Sequence, residues 1–537
     1  MQKRHCFIAL VLGLSVWPLA LLALEADDPA WRAFQHGLGE PHLIGANAGH
    51  GQAAAVTRPF PDASHWQIHA GKFRLGSRLF HESRLATGNG IACVTCHAGT
   101  LSGADRRRVS IGVGGAEGRL NALSVFNAAF NFRQFWDGRA VTLEDQALLP
   151  IETEFEMANS LAAVLAFLQG ELDYAARFDA IYADGVSIAN MADAMAHFQR
   201  STFIRLDTPF QRYLNGEQSA LSEQEQRGWQ RFQALGCTVC HNGINLGGNS
   251  YQKLGSLVDY YGSGEANRAD VHDQGVFARS QRQQDHAVFR VPGLHGVATT
   301  PPYLHDGSIT GLEEVVRLMG EYQLGRSLTE TDVQDISAFL KSLGGHFNSS
   351  RKGLPASTVE LEAGQGSWQV QPDDAFQAVA EGSHRQAYGQ LLQQLPGAFQ
   401  QLRLEMQRLE SGQVAHFDFL QFQHLELIRF SRALLHPPAA LPVTRREQLQ
   451  TQAGQLLAEI MALEWPVADF LMSRSRLQLL EMLTLAGSDA ELRLTPGEIE
   501  QQLQAARQLR ATARASIEAF AGLSRSESMA ALLNGEP

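Results

Sequence analysis

Two short stretches constrain this chain more than anything else in it: Cys93-Val94-Thr95-Cys96-His97 and Cys237-Thr238-Val239-Cys240-His241. In each, two thiols stand three residues apart and an imidazole follows at once. That spacing fits covalent attachment of a c-type haem. The thiols add to the vinyl groups and the adjacent histidine takes an axial position on the iron. Four of the five cysteines are used this way. Two CxxC pairs could also supply four thiolates to zinc, and a redox dithiol is a third option. Neither needs a histidine directly after both pairs, and both pairs have one. The expected cofactors are therefore two covalently bound c-type haems, on Cys93, Cys96 and His97 and on Cys237, Cys240 and His241.

The 537 residues suffice for three domains of ordinary size. A net charge of -12 argues against a nucleic acid partner, because phosphate binding wants a basic face. Lys3, Arg4 and His5 precede an apolar run from Phe7 to Leu24, broken by Gly13, Ser15 and Pro18, with small residues at Ala23 and Ala26. Residues 1–26 read as a secretory signal peptide. A retained membrane anchor is the alternative, since the run approaches spanning length. Cys6, the fifth cysteine, lies inside this segment. Export agrees with covalent haem, so the periplasm is the expected address.

Residues 27–60 read as an extended lead-in whose histidines, His36, His42 and His50, are surface residues. From about Trp66 the pattern turns helical, with apolar residues three and four apart over Gly71–Phe80. The first haem motif follows, then a flexible loop, Gly112-Val113-Gly114-Gly115. Ser160–Gln169 and Ile188–Phe203 read as two helices joined by a loop. Ser222 with Glu225 is a capping box opening a helix to Leu235. Residues 242–287 are loop-like. Leu312–Gly320 is a short helix carrying Met319, and Thr329 with Asp332 opens another, with Gly344-Gly345 at its end. The two halves, 61–205 and 206–345, suggest a duplicated domain. Residues 346–373 have the composition of a linker. Residues 374–537 carry no cysteine and read as a bundle of four or five helices. Breaks are expected at Pro437-Pro438 and near Ser473, and a helix start at Thr495-Pro496-Gly497-Glu498. His416 and His424, eight apart on one predicted helix, offer too few ligands for a metal site and read better as core or surface residues. The fold class is all-α: two cytochrome c-like domains, then a helical bundle.

From Gly71 to Gly345 the chain resembles the bacterial dihaem cytochrome c peroxidases, and their cousin, the dihaem enzyme that matures methylamine dehydrogenase. The resemblance rests on Ile91–His97, Ser110-Ile111-Gly112, Gln134–Ala140, Leu143–Ala147, Glu156-Met157, Gly236–Gly243, Thr300–Gly307, Met319-Gly320 and Gln323–Gly325. It implies a peroxide-reactive haem on His97 and an electron-accepting haem on His241, with Met319 as the second axial ligand of the latter. Taken without that resemblance, Met319 is a core methionine. Trp136 matches a tryptophan between the haems; a buried core residue is the compatible plainer reading. Glu156 matches the distal acid and Gln146 its neighbour in the pocket. Composition alone does not choose among Glu152, Glu154 and Glu156. Asn121, with the backbone carbonyls of Thr300 and Pro302, matches a calcium site between the halves; all are hard oxygen donors, though locally they are ordinary loop residues.

The chain departs from the pattern at one decisive place. A histidine that follows Ser-Ile-Gly in the typical peroxidases, and caps the first haem, is Val113 here, which cannot ligate iron. The usual Pro-Arg-Asn nearby reads Arg119-Leu120-Asn121, and the usual Leu-Arg-Asn reads Leu294-His295-Gly296. The first haem is expected to be open without prior reduction, unless another side chain takes the place. The resemblance implies reduction of hydrogen peroxide to water with electrons from a small cytochrome c or copper protein. Two alternatives stay open: peroxide-dependent oxidation of a side chain on a partner protein through a doubly oxidised haem pair, and non-catalytic electron transfer. The C-terminal bundle could dock a redox partner, cover a haem edge or hold a homodimer together.

Overall fold

The structure, a computed structural model, describes residues 55–60, 69–204, 207–262, 274–344, 381–437, 441–485 and 492–522. The signal segment, most of the lead-in with its three histidines, and the linker lie outside the described residues.

The first half is built on α1 (Ala70–Phe80) packed against α5 (Ile188–Thr202), with α2 (Leu143–Glu152), α3 (Leu161–Gly170) and α4 (Leu172–Asp179) around them. The expected loop between the two predicted helices thus contains a helix, α4. Its apolar positions, Tyr174 and Phe178, are four apart on one buried face, too brief a signal to register as a period. The second half repeats the plan with α6 (Glu223–Ala234) against α8 (Glu330–Ser342), and α7 (Leu312–Leu318) beside them. The reciprocal side-chain and backbone bonds of Ser222 with Glu225, and of Thr329 with Asp332, start α6 and α8 as their sequences predict. Each helix pair crosses at backbone contact. A methyl on Gly76 would strike the Ala194 carbonyl, and one on Gly228 would strike that of Asp335. A glycine at each crossing is what lets the axes approach.

The duplication extends further than the haem motifs. Gln134–Ala140 and Tyr303–Ile309 are each closed by an antiparallel bridge between their end residues. Both have positive φ at the second position, Phe135 at 67° and Leu304 at 68°, and at the glycine, Gly138 at 69° and Gly307 at 63°. Both carry Asp-Gly at matching places, and α2 or α7 follows. Inside the stretch 242–287, expected to be loop-like, Tyr251–Lys253 (β1) forms a strand, and it pairs antiparallel with Val288–Arg290 (β2) just beyond that stretch. Three-residue strands are too short to announce themselves by alternation, so this small sheet escaped the sequence reading.

Among the described residues the C-terminal part has five helices: α9 (Glu381–Glu410), α10 (Asp418–Leu434), α11 (Val443–Ala462), α12 (Glu464–Leu485) and α13 (Pro496–Gly522). Thr495 and Glu498 cap α13 as expected, the Thr495 N–H donating to the carboxylate at 2.8 Å. Ser473 is not a break. It sits inside α12 with its hydroxyl bound to the Phe470 carbonyl, and the chain turns instead at Leu463, just before Trp465-Pro466. His416 and His424 do not share a helix, because α10 begins at Asp418. Both are buried core residues, and His424 meets the Ile460 carbonyl at 2.8 Å.

The bundle is welded to the haem halves. One apolar cluster joins Phe130 and Val141 of the first half, Ile244 of the second, and Tyr388, Phe399, Phe417 and Phe470 of the bundle. Asp418 accepts from the Ile244 N–H at 2.9 Å and from Asn249 Nδ2 at 2.6 Å. Glu464, 3% exposed, accepts from Arg133 at 2.9 Å, Arg279 at 2.7 Å and the Tyr251 hydroxyl at 2.8 Å. Burial alone would raise its pKa, but the two guanidiniums hold it at about 2. Removing one member of such a buried set leaves uncompensated charge. Glu464→Gln is expected to lower stability by about 3–5 kcal/mol in denaturant melts at neutral pH. A depressed carboxylate contributes fully above its ordinary value of 4.5 and loses that contribution as pH falls toward 2, so the gap between variant and parent should close below pH 4.5.

Candidate functional site

Each haem motif is a single tight turn. The His97 N–H donates to the Cys93 carbonyl at 3.0 Å and the His241 N–H to that of Cys237 at 2.9 Å, which brings thiols and imidazole to one side. His97 Nδ1 bonds the Gly103 carbonyl at 3.0 Å, and His241 Nδ1 that of Leu246 at 3.2 Å. A carbonyl only accepts, so each Nδ1 carries the proton and each Nε2 lone pair is free for iron. Burial keeps both rings neutral, lowering the pKa of His97 and taking that of His241 down to about 4. None of the four thiols is in a disulfide. Among the described residues no three His, Cys, Asp or Glu side chains converge as metal ligands, so the two CxxC pairs do not form one zinc site.

The second motif opens onto a large cavity. Cys237, Cys240 and His241 line it together with Met319. Met319 is the first residue of a π-helical turn, Met319–Gln323, that continues α7. Such turns are frequent at functional sites. His295 also lines this cavity, its ring 4.8 Å from that of Phe60. The apolar lining, the thiols on one side and the thioether in the same chamber fit a c-type haem. Cys93 of the first motif stands where two apolar clusters meet, one with Phe73, Phe80 and Phe198, the other with Leu79, Met157 and Val113.

Trp136 is placed by three elements. Its indole N–H donates to the Asn121 carbonyl at 2.9 Å, and its own carbonyl accepts from the Arg290 N–H of β2 at 2.7 Å. Gly138, in the same loop, leaves room for the Tyr251 hydroxyl, which a methyl there would strike. The ring meets His305 and Phe289 edge-on, each at 6.3 Å, and those two stack at 4.2 Å. Sequence reasoning gave His305 no role. The signal was there in the duplicated loops, where Trp136-Asp137-Gly138 is answered by His305-Asp306-Gly307. Asn121, Thr300 and Pro302 all line the second cavity, and the Asn121 amide nitrogen donates to the carbonyls of Arg107 and Arg108 at 2.9 and 3.3 Å.

The three glutamates separate clearly. Glu152 and Glu154 are exposed; Glu156 is half-buried. Burial raises the Glu156 pKa, opposed by Arg139, and its charge reaches both thiols of the first motif. Gln146 lies half-buried on α2. The loop around Val113 is tethered rather than free. Ile111 and Glu117 bridge its base, and the Val113 N–H donates to the Glu156 carbonyl at 2.8 Å. A methyl on Gly112 would strike the Phe155 carbonyl, so the glycine permits this close approach. Arg119 lies over the Phe155 ring at 5.0 Å, outside this contact.

Fold and motifs together define a c-type protein with two haem sites in duplicated helical halves. Residues 70–219 match the family described as di-haem cytochrome c peroxidase. The chain is 38% identical over 310 residues to the cytochrome c551 peroxidase of Pseudomonas aeruginosa, covering 56% of this chain and 88% of that protein. It therefore belongs to the di-haem cytochrome c peroxidase family. It is 43% identical over 277 residues to the cytochrome c peroxidase Ccp of Escherichia coli, covering 51% of this chain and 58% of that protein, so it spans little more than half of that relative. It is also 32% identical over 288 residues to the methylamine utilization protein MauG of Methylophilus methylotrophus, covering 51% of this chain and 82% of that protein.

Proposed function

We propose that the protein reduces hydrogen peroxide to water, with electrons from a small cytochrome c or copper protein, at a first haem left open by Val113. The observation that carries this reading is the pairing of Glu156 with Val113: the only half-buried glutamate of its segment is clipped to a residue that has no ligand to give. A haem held by Cys93, Cys96 and His97 would supply the electrons and the site for peroxide. The chain supplies the proton path. The Glu156 carboxylate takes the proton from one peroxide oxygen and returns it to the other, so that water can leave. Its raised pKa favours the neutral acid needed for the second half of that transfer. Gln146 orients the peroxide from α2. With haems bound, Trp136, which lines the second cavity, would stand on the path between the two sites, and His97, His241 and Met319 would hold the irons.

His/Met ligation raises the potential of the second haem. Met319→Ala is expected to lower that potential and convert the haem from low-spin to high-spin, read by spectroelectrochemistry and EPR. Calcium fits the oxygen atoms of Asn121, Thr300 and Pro302, completed by water. The periplasm is the address that suits covalent haem and the N-terminal apolar segment. A second reading, oxidation of a side chain on a partner protein, is favoured by the same open site. A plain electron carrier would leave Glu156 and Gln146 without a task.

The deciding experiment is the EPR spectrum of the fully oxidised protein before and after one equivalent of peroxide. A high-spin ferric signal that is lost at once supports the open site. Fast recovery with a simple donor marks a peroxidase, and a long-lived oxidised state that decays only with a protein substrate marks the second reading. Two low-spin signals with no reaction would overturn both.

A further inference from the structure

The duplicated halves provide an internal comparison. The residues between the thiols of the first motif, Val94 and Thr95, are half-buried and exposed; their counterparts Thr238 and Val239 are buried. The C-terminal helices make the difference. Leu479 and Met482 of α12 stand 3.0 and 3.3 Å from the place a side chain on Gly236 would take, directly before Cys237. The Ser475 hydroxyl faces the Val239 carbonyl at 3.4 Å. Val239, Leu257 and Leu324 share one apolar cluster with Leu480, Leu483 and Leu503, and Cys237 and Cys240 pack against it.

The turn that carries Met319, whose Gly320 and Gln323 also line the cavity, is held by the same part of the chain. The Arg493 N–H donates to the Gly325 carbonyl at 2.9 Å, and its guanidinium pairs with Glu321, in the Met319 turn, at 3.3 Å. Gln502 of α13 donates to the Leu257 carbonyl at 3.1 Å. The seam of α12 and α13 therefore runs from the thiol-bearing turn to the methionine-bearing turn. Among the described residues the first motif has no such cover.

We propose that α12 and α13 are a built-in roof over the attachment edge of the second haem, which keeps that edge dry and closes it to a soluble protein donor. The proposal rests on a haem at Cys237, Cys240 and His241, and not on the peroxide reading above. Two physical consequences follow. Solvent exclusion disfavours the more highly charged ferric form and so raises the potential. Electron tunnelling weakens exponentially with distance, so a donor held off by two helices must use another face of the molecule.

The test uses the full-length, haem-loaded protein and the double variant Leu479→Ala/Met482→Ala, which thins the roof over Gly236. Three quantities are measured: the potential of the low-spin haem, its rate of reduction by hexaammineruthenium(II), and its rate of reduction by a small c-type cytochrome. The potential should fall and both rates should rise severalfold, the protein donor gaining more. The reaction of the oxidised protein with peroxide should stay as in the parent, so a failed peroxidase reading would not be mistaken for a failed roof. Arg493→Glu sets a carboxylate against Glu321 and opens the seam from its exposed end. It carries the test if the double variant does not load haem. Parental potential and rates, in a variant whose α12 amides exchange faster than in the parent, would overturn the proposal.

Discussion

Glu156→Gln should slow peroxide cleavage by about 10²–10⁴-fold, the usual worth of a positioned general acid–base group. The amide keeps the shape of the carboxyl and can still donate a hydrogen bond, but it cannot take a proton from one oxygen and give it to the other. Peroxide binding and the high-spin signal of the oxidised protein should survive, because the first haem is held by Cys93, Cys96 and His97. In the parent, the rate should fall as the solution is acidified through the raised pKa of Glu156, since the carboxylate is the form that begins the transfer. In the variant that acid limb should vanish. Stopped-flow traces across pH decide the matter. An unchanged rate would remove Glu156 from the mechanism and turn attention to Gln146 and Arg139.

On the proposed reading of an open first haem, Val113→His should close that site. The backbone there already has its place: Gly112 lies against Phe155, and the residue 113 N–H is fixed on the Glu156 carbonyl. An imidazole at this position has the donor atom that valine lacks. The oxidised variant should be low-spin at both haems and unreactive toward one equivalent of peroxide. Reactivity should return when the second haem is reduced first. EPR and single-turnover mixing, with and without pre-reduction, read this directly. A variant that stays high-spin and reactive would show that the loop, and not only its side chain, sets the open state.

Much of this was legible from the residues. The paired CxxCH motifs name their chemistry, and the capping boxes at Ser222 and Thr329 fix two helix starts. What was hidden falls into two kinds. Short elements, such as β1, β2 and α4, carry too few residues for a period to emerge. Long-range partners carry no local sign at all. Nothing in the neighbourhood of Glu464 announces that Arg133 and Arg279 will meet it, or that Ser473 will lie inside a helix while the chain turns at Leu463. Among Glu152, Glu154 and Glu156 the family resemblance picks Glu156, while the residues alone do not: three glutamates two residues apart differ in burial only once the segment has a place to fold against.

The repeated Asp-Gly loops have a consequence for the direction in which charge moves. A duplicated frame, left unaltered, would hold two equivalent iron centres, and equivalent centres give an electron no reason to prefer one over the other. This chain breaks the equivalence at points that bear on the irons. Trp136 faces His305 across the repeat, a thioether stands at Met319 while an inert side chain stands at Val113, and among the described residues the helices beyond residue 463 lie over the second motif and not the first. The scaffold repeats one plan twice, and the driving force resides where the two copies differ.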